Sequence, residues 1–465
     1  MIVRAGPPIQ AGTSFTAMDL IFRKTLFRRC IVMDVNTYRI MIRLNPWIED
    51  IHVWQEFAMS RLPANYIPRI VSPRLEKDKV ILITGPRQSG KSTLAWKILS
   101  NSDRPFIYVN CEEYLLRELC GSAALFMDEM ERLAPGAQGF FFEEAQHLPE
   151  AGLFLKGLVD LKSGKQIMAT GSSSFHLLAK TRESLAGRAQ RHVLLSFGAR
   201  ELVPDSVSAT IKEMKARDIF STLMLFGGYP EVFLSMDKEE VLGRLVEAFV
   251  LRDASDLYMI RNPGAFRKLM DLAASQTANL VNYSNLAENI GVSVNTTAQY
   301  LNILEESHII RMLPPFAGGK RAEITSTPKL YFMDNGVRNY LFGGFTDPAN
   351  RADSGALTEN LIFTELCKRI NPLTESIHFW RSSSGAEVDF VLQKQGRLIA
   401  MEVKAGAMKK PLISRSLRSF ISAYNPDAAY VLNSTLNLSM TVENTAIRFV
   451  PFHLFHEQKL HEPYS

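Results

Sequence analysis

Cysteine is scarce. Only Cys30, Cys111, Cys120 and Cys367 occur among 465 residues, far apart, with no C-x-x-C pair and no histidine at zinc-finger spacing. That excludes a disulfide scaffold and a cysteine-based zinc site, and points to buried thiols in a reducing cytoplasm. Long apolar runs are lacking too. No uncharged stretch approaches the roughly 18 residues that cross a bilayer, and the longest, such as FGGYPEVFL, are short and broken by Gly, Pro or charge. A membrane-spanning helix is therefore not expected. Charge of one sign is not in excess either: 53 Lys plus Arg against 48 Asp plus Glu leave a net +5, too weak by itself to imply a polyanionic partner. No internal repeat is present, which excludes a solenoid.

What is present is an ordinary globular composition, 46% apolar and 22% charged, in a chain long enough for two to four domains at about 100 to 200 residues each. Residues 1–65 read as an N-terminal extension. Its first 48 positions carry Arg4, Arg23, Lys24, Arg28, Arg29, Arg39 and Arg43 against Asp19 and Asp34, but no apolar core or cleavage site of a targeting segment follows. Over 66–205, apolar strands alternate with helical segments: KVILIT before residue 85, FIYVN at 106–110, GFFFE at 139–143, KQIMATG at 165–171 and RHVLLSF at 191–197. That alternation predicts a parallel sheet covered on both faces. Residues 206–280 follow a helical period, with Val241, Leu245 and Phe249 in one stripe, and read as a helical lid. Residues 281–350 read as a winged helix, with Ser284 and Ser293 as caps, Gly291 as the turn, and a wing after PPFAGGK. Residues 351–465 form a second α/β unit, with strands AEVDFVL, LIAMEVK and AAYVLN.

The chemistry is clearest at Gly85, Pro86, Arg87, Gln88, Ser89, Gly90, Lys91, Ser92 and Thr93, which fit G-x-x-x-x-G-K-[ST] between a strand and a helix. Glycines let backbone N–H groups turn inward around phosphate oxygens, and the following helix aims its positive end at the same anion. Lys91 is expected on the β- and γ-phosphates and Ser92 on Mg²⁺, with ATP as the ligand. Hydrolysis needs an acid for the metal and a group that orients water. Two segments compete: LFMDE, with Asp128 and Glu129, and GFFFEEAQHLPE, with Glu143 and Glu144. The first continues with helical spacing and reads as a solvated helix face. The second ends a strand, so Glu143 is expected at the metal and Glu144 as the base. Ser172, in TGSSS at a neighbouring strand end, is placed to report the γ-phosphate. Arg188 is expected either to neutralise transition-state charge in its own or an adjacent subunit or to pack a loop.

Taken in order, YIPR, GPRQSGKST, FEEAQHLPE, ATGSSS, LAGRAQ, GGYPEV, KLYFMDNGVRNYL, GAEVDFVL and AMEVKAG resemble the bacterial and archaeal AAA-type ATPases that carry a C-terminal domain of uncharacterised function with a nuclease-like core. The resemblance spans roughly residues 66 to 450. It implies an α/β fold class: a P-loop AAA-type parallel-sheet domain, a helical and winged-helix region, and a C-terminal nuclease-like α/β domain. Family members usually have Asp-Glu-x-Gln where this chain has Glu143, Glu144, Ala145 and Gln146, so the first acidic position departs from the pattern.

Through that resemblance, Glu359, Asp389, Glu402 and Lys404 become a second catalytic set. Asp389 and Glu402 would share Mg²⁺, Lys404 would orient or deprotonate water, and Glu359 would complete the set from a helix. Glu402 and Lys404, two apart on a strand, share one face. The basic run Lys404, Lys409, Lys410, Arg415 and Arg418, with no acid between 403 and 418, suits a phosphate backbone. Asn295, Thr296, Gln299 and Tyr300 are expected to be exposed on the second helix of the winged-helix region, and Arg311, Lys320, Arg321 and Lys329 surround its wing. The expected function is an Mg²⁺-dependent ATPase coupled to DNA binding or processing. The alternative is a slow nucleotide-dependent switch whose nuclease-like fold is inert. Assembly into a homo-oligomer is a fold-level expectation. The histidines His453, His456 and His461 read as a solvated tail rather than a metal site.

Overall fold

The computed structural model describes residues 33–171, 185–248, 260–318 and 327–460. Cys30, Ser172, Phe249, Lys320, Arg321 and His461 lie outside them. The first sheet has five strands, all parallel: β1 (Val80–Thr84), β2 (Phe106–Asn110), β3 (Gly139–Glu143), β4 (Gln166–Gly171) and β5 (Ala189–Val193), in the order β2-β3-β4-β1-β5. Every residue of β1 is buried, as an unbroken Val/Ile/Leu run must be when helices cover both faces. On one face Phe126, from helix Ala123–Leu133, meets Phe140 edge-on with ring centroids 5.2 Å apart; on the other, Trp96 meets Phe141 at 5.5 Å. β5 begins two residues earlier than the apolar pattern suggests, and Leu194 N–H, donated to the Thr84 carbonyl, closes its ladder with β1.

Half of the segment read as an extension belongs to this core. Helices Val35–Leu44 and Trp54–Ser60, with the 3-10 turn Pro46–Ile48 between them, bury Met41, Trp47, Trp54 and Ala58 in the same cluster as β1 to β4. Asn45 seals the sheet edge: its amide donates to the Tyr108 carbonyl at 2.9 Å and its Oδ1 accepts the Tyr108 N–H at 2.7 Å. An edge strand closed in this way cannot template another chain at that position. Glu129 also departs from expectation. It is buried on its helix and paired with Arg132 at 2.6 Å, while Asp128 faces solvent.

Helices follow over Ala209–Ala248 and again over Pro263–Glu306, ending in the pair Tyr283–Ile290 and Val294–Glu306, and then an antiparallel strand pair, β6 (Ile310–Leu313) and β7 (Lys329–Phe332). Asn282, not Ser284, caps the first helix of the pair, because its Oδ1 accepts the Asn285 N–H; Ser293 caps the second. Gly291, at φ 73°, makes the left-handed turn between them. Tyr300 is buried rather than exposed, its ring edge-on to Phe266 at 5.3 Å. The motifs GGYPEV and MDNGVRNYL interlock. Buried Asp334 caps helix Asn335–Phe342 and accepts the Gly228 N–H at 2.8 Å, so tightly that a Cβ on Gly227 would lie 1.8 Å from its Oδ1.

The last unit has a six-stranded mixed sheet, β12-β13-β11-β10-β9-β8. β8 (Glu375–Arg381), β9 (Glu387–Lys394) and β10 (Arg397–Val403) form an antiparallel meander; β11 (Ala428–Asn433) returns parallel to β10. β12 (Leu438–Val442) and β13 (Thr445–Pro451) complete the far edge. Helix Ser354–Cys367 is buried along most of its length, Thr358, Asn360, Thr364 and Glu365 included, and packs Leu361, Ile362, Phe363 and Leu366 against one face. The amphipathic helix Arg415–Tyr424 puts Leu417, Phe420 and Ile421 on the other. His453 and His456 are packed into this unit and not solvated; His453 reaches Glu213 at 3.3 Å. Cys111 and Cys120 are buried free thiols, and burial pushes both up from their ordinary range. Among the described residues no helix is long and apolar enough to cross a membrane.

Candidate functional site

The phosphate loop turns on three residues of positive φ: Gly85 at 148°, Gln88 at 59° and Gly90 at 92°. At Gly85 the backbone passes so close to β5 that a Cβ would lie 2.1 Å from the Leu194 carbonyl oxygen. Only glycine fits that approach. Gly90 opens helix Lys91–Leu99 with no side-chain cap, leaving its first N–H groups to the loop. Lys91 is buried and donates to the Pro86 carbonyl at 2.9 Å, while the Ser89 hydroxyl is sealed from solvent with no hydrogen-bond partner. Arg87 and Gln88 are exposed at the tip.

The loop is anchored by a residue the sequence offered only as part of YIPR. The Arg69 guanidinium donates to the Ser89 carbonyl at 2.8 Å, to the Leu195 carbonyl at 2.6 Å and to Glu201 at 2.9 Å, and lies over the Phe197 ring. Its partners are up to 132 residues away, so no local spacing announces them.

Strand order brings the acids to the loop. β4 separates β1 from β3, which sets the end of β3 about 10 Å from the end of β1 at two strand spacings. Thr84 is level with Gly171, and Phe142 with Ala169. Glu143 and Glu144 therefore leave the sheet at the same edge as Gly85. Glu143 accepts a hydrogen bond from the Tyr108 hydroxyl, and that contact, after burial, drives the phenol well above its usual range. Glu144 sits at φ 53°, accepts from Gln146 Nε2, and donates its own N–H to Thr170 Oγ1 at 3.3 Å. Tyr108 is not in the set expected from sequence, since a tyrosine two residues before a strand end carries no motif. Arg188 lies elsewhere. Its carbonyl accepts the Val80 N–H, about 13 Å along β1 from Thr84 at strand rise, and its guanidinium is tied to Asp160 at 2.7 Å. In this fold it is a partly exposed ion-pair residue.

Residues 77–203 match the AAA domain family. Residues 217–347 match a Domain of unknown function (DUF8612), and residues 354–455 another (DUF4143). Uncharacterized proteins from Mycobacterium bovis and Mycobacterium tuberculosis are each 28% identical over 353 residues, covering 74% of this chain and 74% of the relative. Among solved structures, AMPPCP-bound DnaA from Aquifex aeolicus aligns over 50% of this chain and 83% of its own at 12% identity and a TM-score of 0.23; C. elegans PCH-2 covers 56% and 68% at 12% and 0.21. Scores that low carry no argument. The AAA family match, together with the phosphate loop, supports a P-loop ATPase domain that binds nucleotide.

Beyond the AAA domain, the four acidic and basic residues expected in the C-terminal unit do approach one another. Asp389 faces Glu402 across β9 and β10, one step past the Phe390–Met401 pair, and its Oδ2 accepts the Val403 N–H at 2.7 Å. Burial, then the neighbouring Glu359, holds its carboxyl well above the usual range. Glu402 pairs with Lys404 at 2.6 Å. Lys329 intrudes, however. It is only 3% exposed, with Nζ 3.2 Å from Glu359 and 2.5 Å from Glu387. Among the described residues no three His, Cys, Asp or Glu side chains are placed to hold a metal. Asp389 and Glu402 thus lie side by side without a third acid placed to complete a metal cluster among the described residues, and Lys329, expected beside the wing, is buried in ion pairs. Arg311 is half-buried at a cavity of about 1090 Å³ also lined by Thr84, His308 and Lys368. Lys404, Lys409, Lys410, Arg415 and Arg418 are all exposed.

Proposed function

We propose that the protein binds and hydrolyses ATP with Mg²⁺ at Gly85–Thr93 and couples that cycle to nucleic acid held on its helical and C-terminal units. The observation that carries the reading is the glycine-shaped cradle, with buried Lys91 and the unpartnered Ser89 hydroxyl, set beside Glu143 and Glu144 at one sheet edge. These residues fit a triphosphate. Loop amides and the helix N-terminus grip its oxygens, and Lys91 exchanges the Pro86 carbonyl for phosphate. Ser92 and Glu143 would hold the metal, which when bound neutralises phosphate charge. Gln146 fixes Glu144 through Oε2, so Oε1 is the atom that takes the proton from the attacking water. Arg188 is held by Asp160 near the start of β1, so a transition-state role for it calls for a second copy of the chain, with the bond to Asp160 broken.

Phosphate release by wild type, Lys91→Ala and Glu144→Gln tests this. Lys91→Ala should lose nucleotide binding, and Glu144→Gln should bind ATP yet turn over about 10²- to 10⁴-fold more slowly. Equal rates in all three refute it. The nucleic-acid half rests on the exposed basic strip and on Asn295 and Gln299, exposed on a helix that follows a tight turn and precedes a strand pair, the order of a winged helix. The C-terminal order of helix, three-strand meander, helix and parallel strand, with Asp389 and Glu402 on adjacent strands, supports a nuclease-like fold. A slow switch is the second reading. The Tyr108 hydroxyl on Glu143 favours it, because that bond competes with a metal for the same carboxylate.

A further inference from the structure

Four carboxyl groups converge in the C-terminal unit, from helix Ser354–Cys367 (Glu359), β9 (Glu387 and Asp389) and β10 (Glu402). Like charges so close are mutually destabilising unless a cation sits among them. A divalent ion needs several oxygens at once, each with a lone pair to spare. Here several of those lone pairs are engaged by the chain itself. Glu359 Oε1 takes both the Lys329 ammonium and the Tyr331 hydroxyl. Glu387 takes Lys329 on one oxygen and Arg381, at 3.6 Å, on the other. Glu402 gives one oxygen to Lys404, yet the residue is only 5% exposed and its Oε2 has no hydrogen-bond partner. An orphaned carboxylate oxygen sealed from water is costly, and it is the oxygen left for a new cation once the neighbouring ammonium is removed.

We propose that Lys329 is the resident cation of this cluster: its ammonium neutralises Glu359 and Glu387 where a divalent metal would otherwise serve, so the folded chain carries a metal-free, cleavage-silent centre, and removing that ammonium lets Glu359, Asp389 and Glu402, not placed to hold a metal in the wild-type chain, close on one. The inference rests on the nuclease-like reading of the C-terminal unit. Lys329 reaches the cluster from β7, which belongs to the two-stranded pair and not to the six-stranded sheet, so the silencing residue is supplied by a neighbouring unit. Lysine suits the task because its ammonium is a compact point charge on a flexible stem, able to meet carboxylates from two directions.

The test is calorimetric titration of the full chain with MnCl₂, without nucleotide or nucleic acid, so the result is independent of ATP turnover. Wild type should show no Asp389-dependent site at roughly millimolar affinity. Lys329→Met, which keeps the apolar stem, should gain one site at least about tenfold tighter, and Lys329→Met combined with Asp389→Asn should lose it. Lys329→Met with Glu387→Gln repeats the test at lower residual charge if the single variant is unstable. A wild-type site abolished by Asp389→Asn overturns the proposal. So does failure of the folded Lys329→Met variants to gain a site, or a gained site that survives Asp389→Asn. Should neither Lys329→Met variant fold, the wild-type titration decides: no Asp389-dependent site sustains the proposal, and such a site overturns it.

Discussion

Arg69→Ala removes one guanidinium and with it the anchors of two segments. The loop carbonyl of Ser89 and the Leu195 carbonyl after β5 each lose a donor, and Glu201 loses its charge partner. Both members of that ion pair have only 6% of their side chains exposed, so the loss belongs to the buried class, for which removing one partner costs about 3–5 kcal/mol. Glu201 still accepts the Ile70 and Gly198 N–H groups at 3.0 Å each, which places the expectation at the lower end, about 3 kcal/mol. At about 2–4 °C per kcal/mol for a domain of this size, the melting temperature should fall by about 6–12 °C. Tryptophan fluorescence is the suitable probe, because Trp47, Trp54 and Trp96 sit in the AAA domain core and only Trp380 lies elsewhere. ATP affinity should fall as well, since the loop then loses its tie at Ser89. Arg69→Lys should recover part of the stability but not the loop, because an ammonium cannot span three acceptors held for a planar fork. A variant Arg69→Ala that melts within a degree of wild type and binds ATP equally well would show that the anchor is incidental.

Gly227→Ala should fail to fold or melt far below wild type in a thermal scan, because its Cβ would collide with Asp334 at a backbone φ of 72°. Trp54→Ala should cost about 3–5 kcal/mol in urea denaturation, the same order as a β1 core deletion, because residues 33–62 belong to the core. Simultaneous Lys409→Ala, Lys410→Ala, Arg415→Ala and Arg418→Ala should flatten the salt dependence of duplex binding, by up to about 0.9 in log–log slope for each phosphate no longer neutralised, as read by fluorescence anisotropy. His308 is pushed down to about 4, by burial first and then by Lys91 and Arg311. Its folded value lies below the ordinary 6.5, so protonation favours the unfolded chain. Stability from this residue is complete above pH 6.5 and is lost as the pH falls towards 4; His308→Asn should flatten that part of the stability–pH curve.

Local pattern carries some of this protein far. The runs VILIT, FIYVN, GFFFE and QIMATG are short and largely apolar, as strands buried on both faces are, and Gly85 and Gly90 ahead of Lys91 allow the positive φ of the loop. Those features depend on residues within one strand or one turn, and sequence spacing holds that information. Two acids at a strand end were legible for the same reason. What depended on distant partners was not: Asn45 closing the edge at Tyr108, Arg69 tying the loop to Glu201, and Tyr108 meeting Glu143. Nor was Lys329, which looks like any basic residue beside a turn until β7 packs it under Glu359 and Glu387. Sequence alone determined which chemistry each segment carries, because that is a property of side chains in order along the chain. Tertiary structure alone decided which of those groups are already neutralised by another, because a buried charge takes its partner from whichever element folds against it.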